Sequence, residues 1–297
     1  MANVLITGCS VGIGYETALA FARAGHTVAA TMRNPARAPQ LAAQAAKEKL
    51  PLTVFAMDVD NDASVALGIA AVVKALGPMD VLVNNAGIER SGTVEELPLA
   101  EFRAVMETNY FGVIRCVQAV LPSMRQRRHG CIINVASVSG HISSTPLASY
   151  AASKFALEGL SEALAQEVKQ FDIRVAIVEP GIIDTAMAHR IGIDGPPSPY
   201  RGQHRFASLF RAVLTAPVPP SLVADRILDI ADSGTWQLRH PVGPDSEPFL
   251  AWRRGKTDEE WVNWGAMSDD EWYAAVQADF GIDARPAASP GLTSVPK

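Results

Sequence analysis

Tyr150 and Lys154 stand four residues apart in the segment Tyr-Ala-Ala-Ser-Lys, and Ser137 precedes Tyr150 by thirteen residues. Residues four apart share one face of a helix, so a helix here would place the Lys154 ammonium beside the Tyr150 phenol. An adjacent cation lowers a tyrosine pKa from its ordinary value of ~10, and the Ser137 hydroxyl could hydrogen-bond to a substrate oxygen on which charge develops. The three residues predict a tyrosine that exchanges protons with a substrate; taken alone, the pair could also be an ordinary surface tyrosine and lysine.

A glycine-rich turn near the amino terminus could hold a nucleotide. The chain passes from the apolar run Val4–Ile6 into Thr-Gly-Cys-Ser-Val-Gly-Ile-Gly at residues 7–14, and a helical stretch follows. In such a strand-turn-helix unit the glycines let the backbone approach a pyrophosphate, which the free N–H groups and the dipole of the helix stabilise. We expect dinucleotide contacts from Gly8, Ser10, Gly12, Ile13 and Gly14.

Arg33 bears on the choice of dinucleotide. In NAD sites an acidic residue about 20 residues beyond the glycines binds the ribose hydroxyls. This chain instead has Thr31-Met32-Arg33 after its second apolar run, so no carboxylate would repel a 2′-phosphate and a guanidinium could pair with it. The sequence favours NADP(H) and leaves NAD(H) possible; alternatively, Arg33 is a solvated loop residue.

Further motifs stand in order along the chain: Asn-Asn-Ala-Gly at residues 84–87, Asn109, and Pro180-Gly181. Together with the turn, the serine and the Tyr-x-x-x-Lys pair, they resemble the short-chain dehydrogenase/reductase family over residues 2 to about 240, and its hydroxysteroid and retinol dehydrogenase-like members in particular. The resemblance implies that Lys154 also holds the nicotinamide ribose and that Ser137 polarises a substrate carbonyl. It further implies that Asn109 positions a water in a proton relay.

The resemblance also implies the remaining cofactor contacts. Asp58 and Val59 would lie beside the adenine, although Asp58 could instead cap the helix that starts near Asn61. The Asn-Asn-Ala-Gly motif would line the adenosine ribose, although Asn84 could chiefly join strands. The expected contacts are Asp58, Val59, Asn85, Ala86, Gly87, Tyr150, Lys154, Pro180, Gly181, Ile182 and Thr185.

Short apolar runs alternate with helical stretches, which is typical of the α/β class, and such runs suit parallel strands buried on both faces. We therefore expect a single-domain doubly wound Rossmann fold: a mostly parallel seven-stranded sheet with helices on both faces. The expected strands are Val4–Ile6, Thr27–Thr31, Thr53–Ala56, Val81–Val83, Cys131–Val135, Arg174–Val178 and Trp236–Leu238. Ligands bind at the carboxyl ends of such strands, so the motifs should converge there.

The domain is expected to span residues 1–240, with a glycine- and proline-rich substrate lid at 183–220. Residues 241–297 form a tryptophan-rich extension that docks on the same domain or, alternatively, caps the substrate mouth; a mobile tail is expected from about residue 284. Candidates for an apolar pocket wall are His141, Ile142, Leu147, Met187, Phe206, Leu209 and Phe210. His141 could also be an extra proton donor, but a structural role is favoured.

Composition narrows the class of partner. The 297 residues are 48% hydrophobic with a formal charge of -5, so a large core can form and no basic surface for nucleic acid is indicated. We expect no membrane span, no signal sequence and a cytoplasmic location. Three cysteines and six histidines show no ligand spacing, so we expect buried thiols and no metal.

The motifs and the family resemblance together predict an NADP(H)-dependent oxidoreductase that interconverts a ketone or aldehyde and an alcohol. The resemblance to hydroxysteroid and retinol dehydrogenase-like members implies a bulky apolar substrate. The alternatives are an NAD-dependent alcohol dehydrogenase working oxidatively, a dinucleotide-sensing binding protein, and a scaffold that uses the extension. The family resemblance implies a homodimer or homotetramer paired through the long amphipathic segments near 99–126 and 149–170; their apolar faces could instead be internal.

Overall fold

Seven strands form one parallel sheet at the centre of the protein. The structure is a computed structural model and describes residues 1–286. The strands lie in the order β3-β2-β1-β4-β5-β6-β7, and every neighbouring pair is parallel. They are β1 (Asn3–Thr7), β2 (Thr27–Met32), β3 (Leu52–Ala56), β4 (Val81–Asn84), β5 (Gly130–Val135), β6 (Ile173–Pro180) and β7 (Arg239–Val242).

Helices cover both faces of the sheet. Within the described residues they are α1 (Gly12–Arg23), α2 (Gln40–Glu48), α3 (Asp62–Leu76), α4 (Leu99–Met106), α5 (Gly112–Arg127), α6 (Ala148–Lys169), α7 (Ala186–Ile191), α8 (Gly202–Val213), α9 (Pro220–Ser233), α10 (Ser246–Arg254), α11 (Asp258–Ala266) and α12 (Asp269–Phe280). Short 3-10 turns occupy Pro35–Arg37 and Val138–Gly140, and a π-helical segment, Glu107–Phe111, joins α4 to α5. The predicted doubly wound α/β fold is confirmed.

Two hydrophobic cores flank the sheet because successive side chains of a strand point to opposite faces. Val4 and Ile6 of β1 pack with α1 and α9 on one face, whereas Leu5 packs with α3, α5 and α6 on the other. All three cysteines are buried free thiols, as predicted. The sheet is therefore covered on both sides, and its carboxyl edge is left to carry ligands.

The seventh strand lies later than predicted. β7 pairs with the end of β6, while Trp236 is 45% exposed and its ring lies under the Lys169 ammonium. The prediction Trp236–Leu238 was wrong because it followed side-chain apolarity, whereas this edge strand buries only alternate side chains, His240 and Val242. The expected domain boundary after residue 240 consequently falls inside a strand.

The carboxyl-terminal extension packs against the lid. Arg205 of α8 is 3% exposed and donates 2.7 Å hydrogen bonds to the Asp269 carboxylate and the Met267 carbonyl. Leu209 of α8 packs against Trp272 of α12 in a small hydrophobic cluster. α8 and the extension are thus held together by an ion pair and an apolar contact.

The predicted mobile tail, from about residue 284, begins at a residue that packs against the extension. Ala284 is 2% exposed and belongs to the same cluster as Trp272. The rest of the predicted tail, residues 287–297, lies outside the described residues. Within residues 1–286, no helix is both long and apolar enough to cross a membrane.

Candidate active site

Tyr150 and Lys154 lie in the first two turns of α6, and both line one large cavity. Ser137 also lines it, just beyond the end of β5, where its hydroxyl interacts with the Tyr150 phenol. The Lys154 Nζ donates a 2.8 Å hydrogen bond to the Val135 carbonyl and lies 5.6 Å from the centroid of the Tyr150 ring. The three side chains that were predicted to act together therefore meet.

The structure contradicts the predicted direction of the Tyr150 pKa. Burial raises this pKa to about 12, and the interaction with the Ser137 hydroxyl opposes that rise. Lys154 is only 4% exposed, and burial lowers its pKa to about 8. The lysine does not lower the phenol pKa here because desolvation of the phenolate outweighs the nearby charge, and the ammonium is directed at a backbone carbonyl.

The 3-10 turn after β5 fixes the position of the Ser137 side chain. The residue caps the 3-10 turn Val138–Gly140, and its hydroxyl oxygen accepts a 3.1 Å hydrogen bond from the Ser139 N–H. That acceptor role leaves the O–H free to donate elsewhere. Ser137 can therefore donate to a substrate oxygen without breaking its own cap.

Asn109 lies behind the cavity rather than in its wall. Its side chain is 1% exposed, accepts a 2.8 Å hydrogen bond from the Ile88 N–H, and donates to the Ile88 carbonyl and the Ser153 hydroxyl at 2.9 Å. Both amide protons and the oxygen are thus engaged by protein groups. In this structure Asn109 holds the segment after the Asn-Asn-Ala-Gly motif, and its part in a water relay stays a prediction.

The amino terminus of α1 fits an anionic diphosphate. Its N-cap Val11 makes no side-chain cap, and the first turn has no acidic residue, so the first N–H groups are not capped by a side chain. Gly8 and Gly12 have φ of 73° and 63°, a left-handed conformation that favours glycine. A Cβ on Gly8 would stand 2.7 Å from the Ala86 Cα. The turn therefore admits no side chain where a pyrophosphate would sit.

Gly14 serves this turn differently from the prediction. It does not line the cavity; instead, a Cβ there would collide with the Asn85 side chain and the Gly8 carbonyl. Asn85 Nδ2 donates to the carbonyls of Thr7 and Gly8 at 2.9 Å and 3.2 Å. The glycine makes room for this clamp, which fixes the turn. A direct cofactor contact from Gly14 stays a prediction.

The cavity has a volume of about 520 Å³ and runs along the carboxyl edge of the sheet. Every expected cofactor or catalytic residue lines it except Gly14 and Asn109. Asn84 does not line it either, and its amide instead donates a 2.9 Å hydrogen bond to Asn134 of β5, which matches the strand-joining alternative. Likewise Asn61, rather than Asp58, caps α3.

Side chains of both charge signs line the end of the cavity that was expected to hold the adenosine. Arg33 is exposed at the end of β2, and Asp58 and Asp60 follow β3. Burial raises the pKa of Asp60, and a hydrogen bond with the Thr108 side chain and the positive charge of Arg33 oppose that rise. Within residues 1–286, the buried Asp60 Oδ1 has no hydrogen-bond partner. Sequence reasoning missed Asp60; its signal was the second carboxylate in Asp-Val-Asp, two residues beyond Asp58.

Comparison with known proteins decides the family. A family model described as short chain dehydrogenase matches residues 2–194. The chain belongs to the short chain dehydrogenase family. Retinol dehydrogenase 8 of Bos taurus is 46% identical over 188 residues, which cover 62% of this chain and 59% of that relative. The match thus spans less than two thirds of the relative's own length.

Solved structures of this family share the fold. A short-chain dehydrogenase from Streptomyces avermitilis is 32% identical, with a TM-score of 0.75, covering 89% of this chain and 96% of that chain. A metagenomic short-chain oxidoreductase in complex with NADP is 25% identical, with a TM-score of 0.66, covering 81% and 96%. The family model and these relatives confirm the predicted family.

Beyond the segment matched by the short chain dehydrogenase model, the extension completes the cavity wall. Six aromatic side chains, here called the aromatic chamber, line its end: Phe249, Trp252, Trp261, Trp264, Trp272 and Phe280. The Trp252 ring centroid lies 4.7 Å from that of Trp264, 5.1 Å from Phe280 and 5.6 Å from Trp261, all edge to face. The extension therefore both docks on the domain and walls the cavity, which unites the two alternatives.

Asp245 is a second residue that sequence reasoning missed. Its carboxylate accepts a 2.7 Å hydrogen bond from the Ile182 N–H, and burial raises its pKa. Ile182 belongs to the segment after Pro180-Gly181 that was expected to contact the cofactor. The start of the extension thus fixes this segment from behind. No motif marked Asp245, and the Gly-Pro-Asp turn after β7 was the only signal.

Six of the seven expected pocket-wall residues line the cavity, and His141 is the exception. Its Nε2 lies 2.7 Å from the Glu179 Oε1, outside the cavity. His141 therefore does not face the place where a substrate would be protonated. The structural role that was favoured for it fits this position.

Proposed function

We propose that this protein is an NADP(H)-dependent oxidoreductase that interconverts a ketone or aldehyde and an alcohol. One observation carries the proposal: Ser137, Tyr150 and Lys154 line the same cavity as the glycine turn at the amino terminus of α1. Bound there, NADP(H) would supply or accept the hydride. The turn at Gly8 and Gly12 would hold its pyrophosphate, and Lys154 its nicotinamide ribose.

The side chains supply the proton chemistry. With a pKa of about 12, the Tyr150 phenol is protonated at neutral pH and is ready to donate to a substrate oxygen. The Ser137 O–H donates to the same oxygen and stabilises the charge that develops there. The positive charge of Lys154, 5.6 Å from the centroid of the Tyr150 ring, stabilises the phenolate left behind. In the oxidative direction the same groups act in reverse.

Arg33 supports the preference for NADP(H). It lies at the adenosine end of the cavity, and the chain has no carboxylate at the end of β2. The related metagenomic oxidoreductase was solved with NADP. Use of NAD(H) is the second candidate, because Asp60 lines the cavity near Arg33 and a carboxylate there could accept hydrogen bonds from ribose hydroxyls.

The substrate is proposed to be large and apolar. Leu147, Met187, Phe206 and Phe210 line the cavity beside the catalytic residues, and the aromatic chamber lies beyond them. Burial of apolar surface there contributes about 25 cal/mol per Å², so a long or polycyclic apolar carbonyl gains more than a small one. The similarity to retinol dehydrogenase 8 supports the same class.

A homodimer or homotetramer is also proposed. Phe155 of α6 and Phe111 beside α5 are each 45% exposed, and their elements are the ones that the family resemblance pairs between subunits. Large exposed aromatic side chains on adjacent helices suit a protein interface. A cytoplasmic location stays a prediction.

The test is a panel of carbonyls and alcohols, each with NADP(H) and with NAD(H), followed by nicotinamide absorbance. We expect reduction of large apolar carbonyls with NADPH, faster than with NADH. Equal or better use of NADH would support the NAD-dependent alternative. No turnover with any member, together with tight NADPH binding, would refute the enzyme and leave a dinucleotide-binding protein.

A further inference from the structure

Four charged or titratable side chains from four segments meet behind the catalytic residues. His141 follows the 3-10 turn after Ser137, Glu158 lies on α6, Glu179 lies in β6, and Arg239 is the first residue of β7. None of the four lines the main cavity. They are here called the rear cluster.

The contacts within the rear cluster are short and largely buried. The side chains of Glu158 and Glu179 are 6% and 1% exposed. His141 Nε2 lies 2.7 Å from the Glu179 Oε1 and 3.7 Å from the Glu158 Oε2. Arg239 Nε donates to the Glu158 Oε2 at 3.0 Å and lies 3.5 Å from the Glu179 Oε1. Two buried carboxylates thus share one guanidinium and one imidazole.

Charge balance explains why these groups are grouped so closely. Two buried carboxylates are costly unless cations compensate them, and Arg239 supplies one positive charge. The hydrogen bond to Glu179 raises the pKa of His141, while burial raises that of Glu158 to about 7. The rear cluster therefore retains a proton up to neutral pH, and Glu158 becomes an anion above it.

Glu158 is the member closest to the reaction. It follows Lys154 by four residues on α6, so the two side chains share one helix face. The negative charge of Glu158 opposes the lowering of the Lys154 pKa by burial. Glu158 thus becomes negatively charged in the same pH range in which Lys154 would otherwise lose its proton.

Other groups act on this pair from neighbouring elements. Lys154 also faces the Tyr150 ring and the Val135 carbonyl. Around Glu158, further charged groups lie on α6 and, across a second cavity, on α10: Glu162, Glu247, Arg253 and Arg254. Glu162 binds Arg239 at 2.6 Å but is 51% exposed and stands one turn further from Lys154. Glu158 is therefore the buried carboxylate one turn from the lysine.

We infer that Glu158, held in place by His141 and Arg239, is a positioning residue that keeps the Lys154 ammonium charged during proton transfer at Tyr150. The inference rests on the proposed function for its kinetic consequence. Removing the Glu158 charge lets Lys154 lose its proton at lower pH. We take the separation of the two charges as about 6 Å, similar to the ~5–6 Å between Cβ atoms of residues four apart on a helix. At an effective dielectric constant of about 20, Coulomb's law then gives a shift of up to about two pH units.

The test compares Glu158→Gln with Glu162→Gln, a matched control that removes a carboxylate bound to the same arginine on the same helix. We measure kcat for carbonyl reduction between about pH 6 and pH 10 in the full-length enzyme. The alkaline limb should move to lower pH by about one unit or more in Glu158→Gln, with activity near pH 6 kept within about twofold. Glu162→Gln should follow the wild-type profile, and Glu158→Asp should largely restore it.

A direct titration separates this inference from the proposed function. Carbon-13 NMR of lysine side chains, with the Lys154 signal assigned by Lys154→Arg, should show the lysine titrating at lower pH in Glu158→Gln even if no carbonyl is turned over. If Glu158→Gln does not fold, Glu158→Met removes the same negative charge, keeps Arg239 paired with Glu162, and should shift Lys154 in the same direction. Superposable Lys154 titrations in wild type and variant would overturn the inference.

The same experiments address a metal ion. The ligand atoms of His141, Glu158 and Glu179 lie within 4.8 Å of one another, but Arg239 already supplies a positive charge between the carboxylates. The wild-type profile should therefore be unchanged by a chelator. A chelator that reproduces the Glu158→Gln profile would overturn the inference in favour of a bound cation.

Discussion

Shortening Trp252 to leucine should remove much of the preference for long apolar substrates that we propose for this protein. Trp252 contacts three other rings of the aromatic chamber and is half-buried, so only part of its surface faces the cavity. A tryptophan buries ~150–250 Å² in all, and we take about 50 Å² as the contact with a substrate that leucine cannot replace. At about 25 cal/mol per Å² this is about 1.2 kcal/mol, or about eightfold in kcat/KM.

A series of straight-chain aldehydes from butanal to dodecanal, reduced with NADPH, measures the effect. In the wild type, kcat/KM should rise by up to about fourfold for each methylene that enters the chamber. Trp252→Leu should lower kcat/KM about eightfold for the longest aldehydes and less than about twofold for butanal, because a short chain does not reach the ring. The measured quantity is the ratio of kcat/KM for the longest aldehydes to kcat/KM for butanal. A general loss of active protein lowers both values equally and does not change this ratio.

Trp236→Leu is the matched control, because Trp236 is 45% exposed and does not line the cavity. It should leave the length dependence unchanged. An unaltered long-to-short ratio in Trp252→Leu, or an equal change in Trp236→Leu, would refute a substrate role for the aromatic chamber.

Two further variants test the cofactor preference and the oligomer. Arg33→Ala should raise the KM for NADPH by about tenfold or more through loss of a charge-assisted hydrogen bond, with little change in the KM for NADH. The control is Arg37→Ala, which changes a nearby residue that does not line the cavity and should affect neither KM. Equal changes for both cofactors in Arg33→Ala would count against phosphate recognition. Phe155→Glu should shift the protein towards monomer in analytical ultracentrifugation because it puts a charge on the proposed interface. Val262→Glu, at a 71% exposed position of α11, is the control and should leave the mass unchanged. An unchanged mass for Phe155→Glu would contradict the proposed interface.

Most strands of the fold could be predicted from sequence because the apolar pattern of each segment agrees with its place in the sheet. Six strands were expected within one or two residues of their observed ends, since each is a short apolar run. Five of the six are largely buried, whereas β3, at the edge of the sheet, is only partly buried. The motif residues follow strand ends, so their convergence followed from parallel topology alone. The position of β7 was predicted wrongly because this edge strand buries only alternate side chains. The prediction instead began at Trp236, an apolar residue that lies at the surface.

The roles of individual site residues were harder to predict because they depend on side-chain environment. The spacing of Tyr150 and Lys154 placed them together correctly, but their pKa shifts follow from burial, which a sequence pattern does not show. Gly14 matched the motif yet serves packing against Asn85. The contribution of the extension depends on contacts made across more than 40 residues of chain, such as Arg205 with Asp269.

Tyr150→Phe tests the central claim most directly, because it removes one hydroxyl and keeps the ring. NADPH affinity, measured by fluorescence titration, should stay within about twofold of wild type, while turnover of the best carbonyl should fall by a factor of about 10² to 10⁴, the usual contribution of a general acid. Intact NADPH binding with turnover lost would support Tyr150 as the proton donor. Turnover within about tenfold of wild type, at the same NADPH affinity, would contradict it.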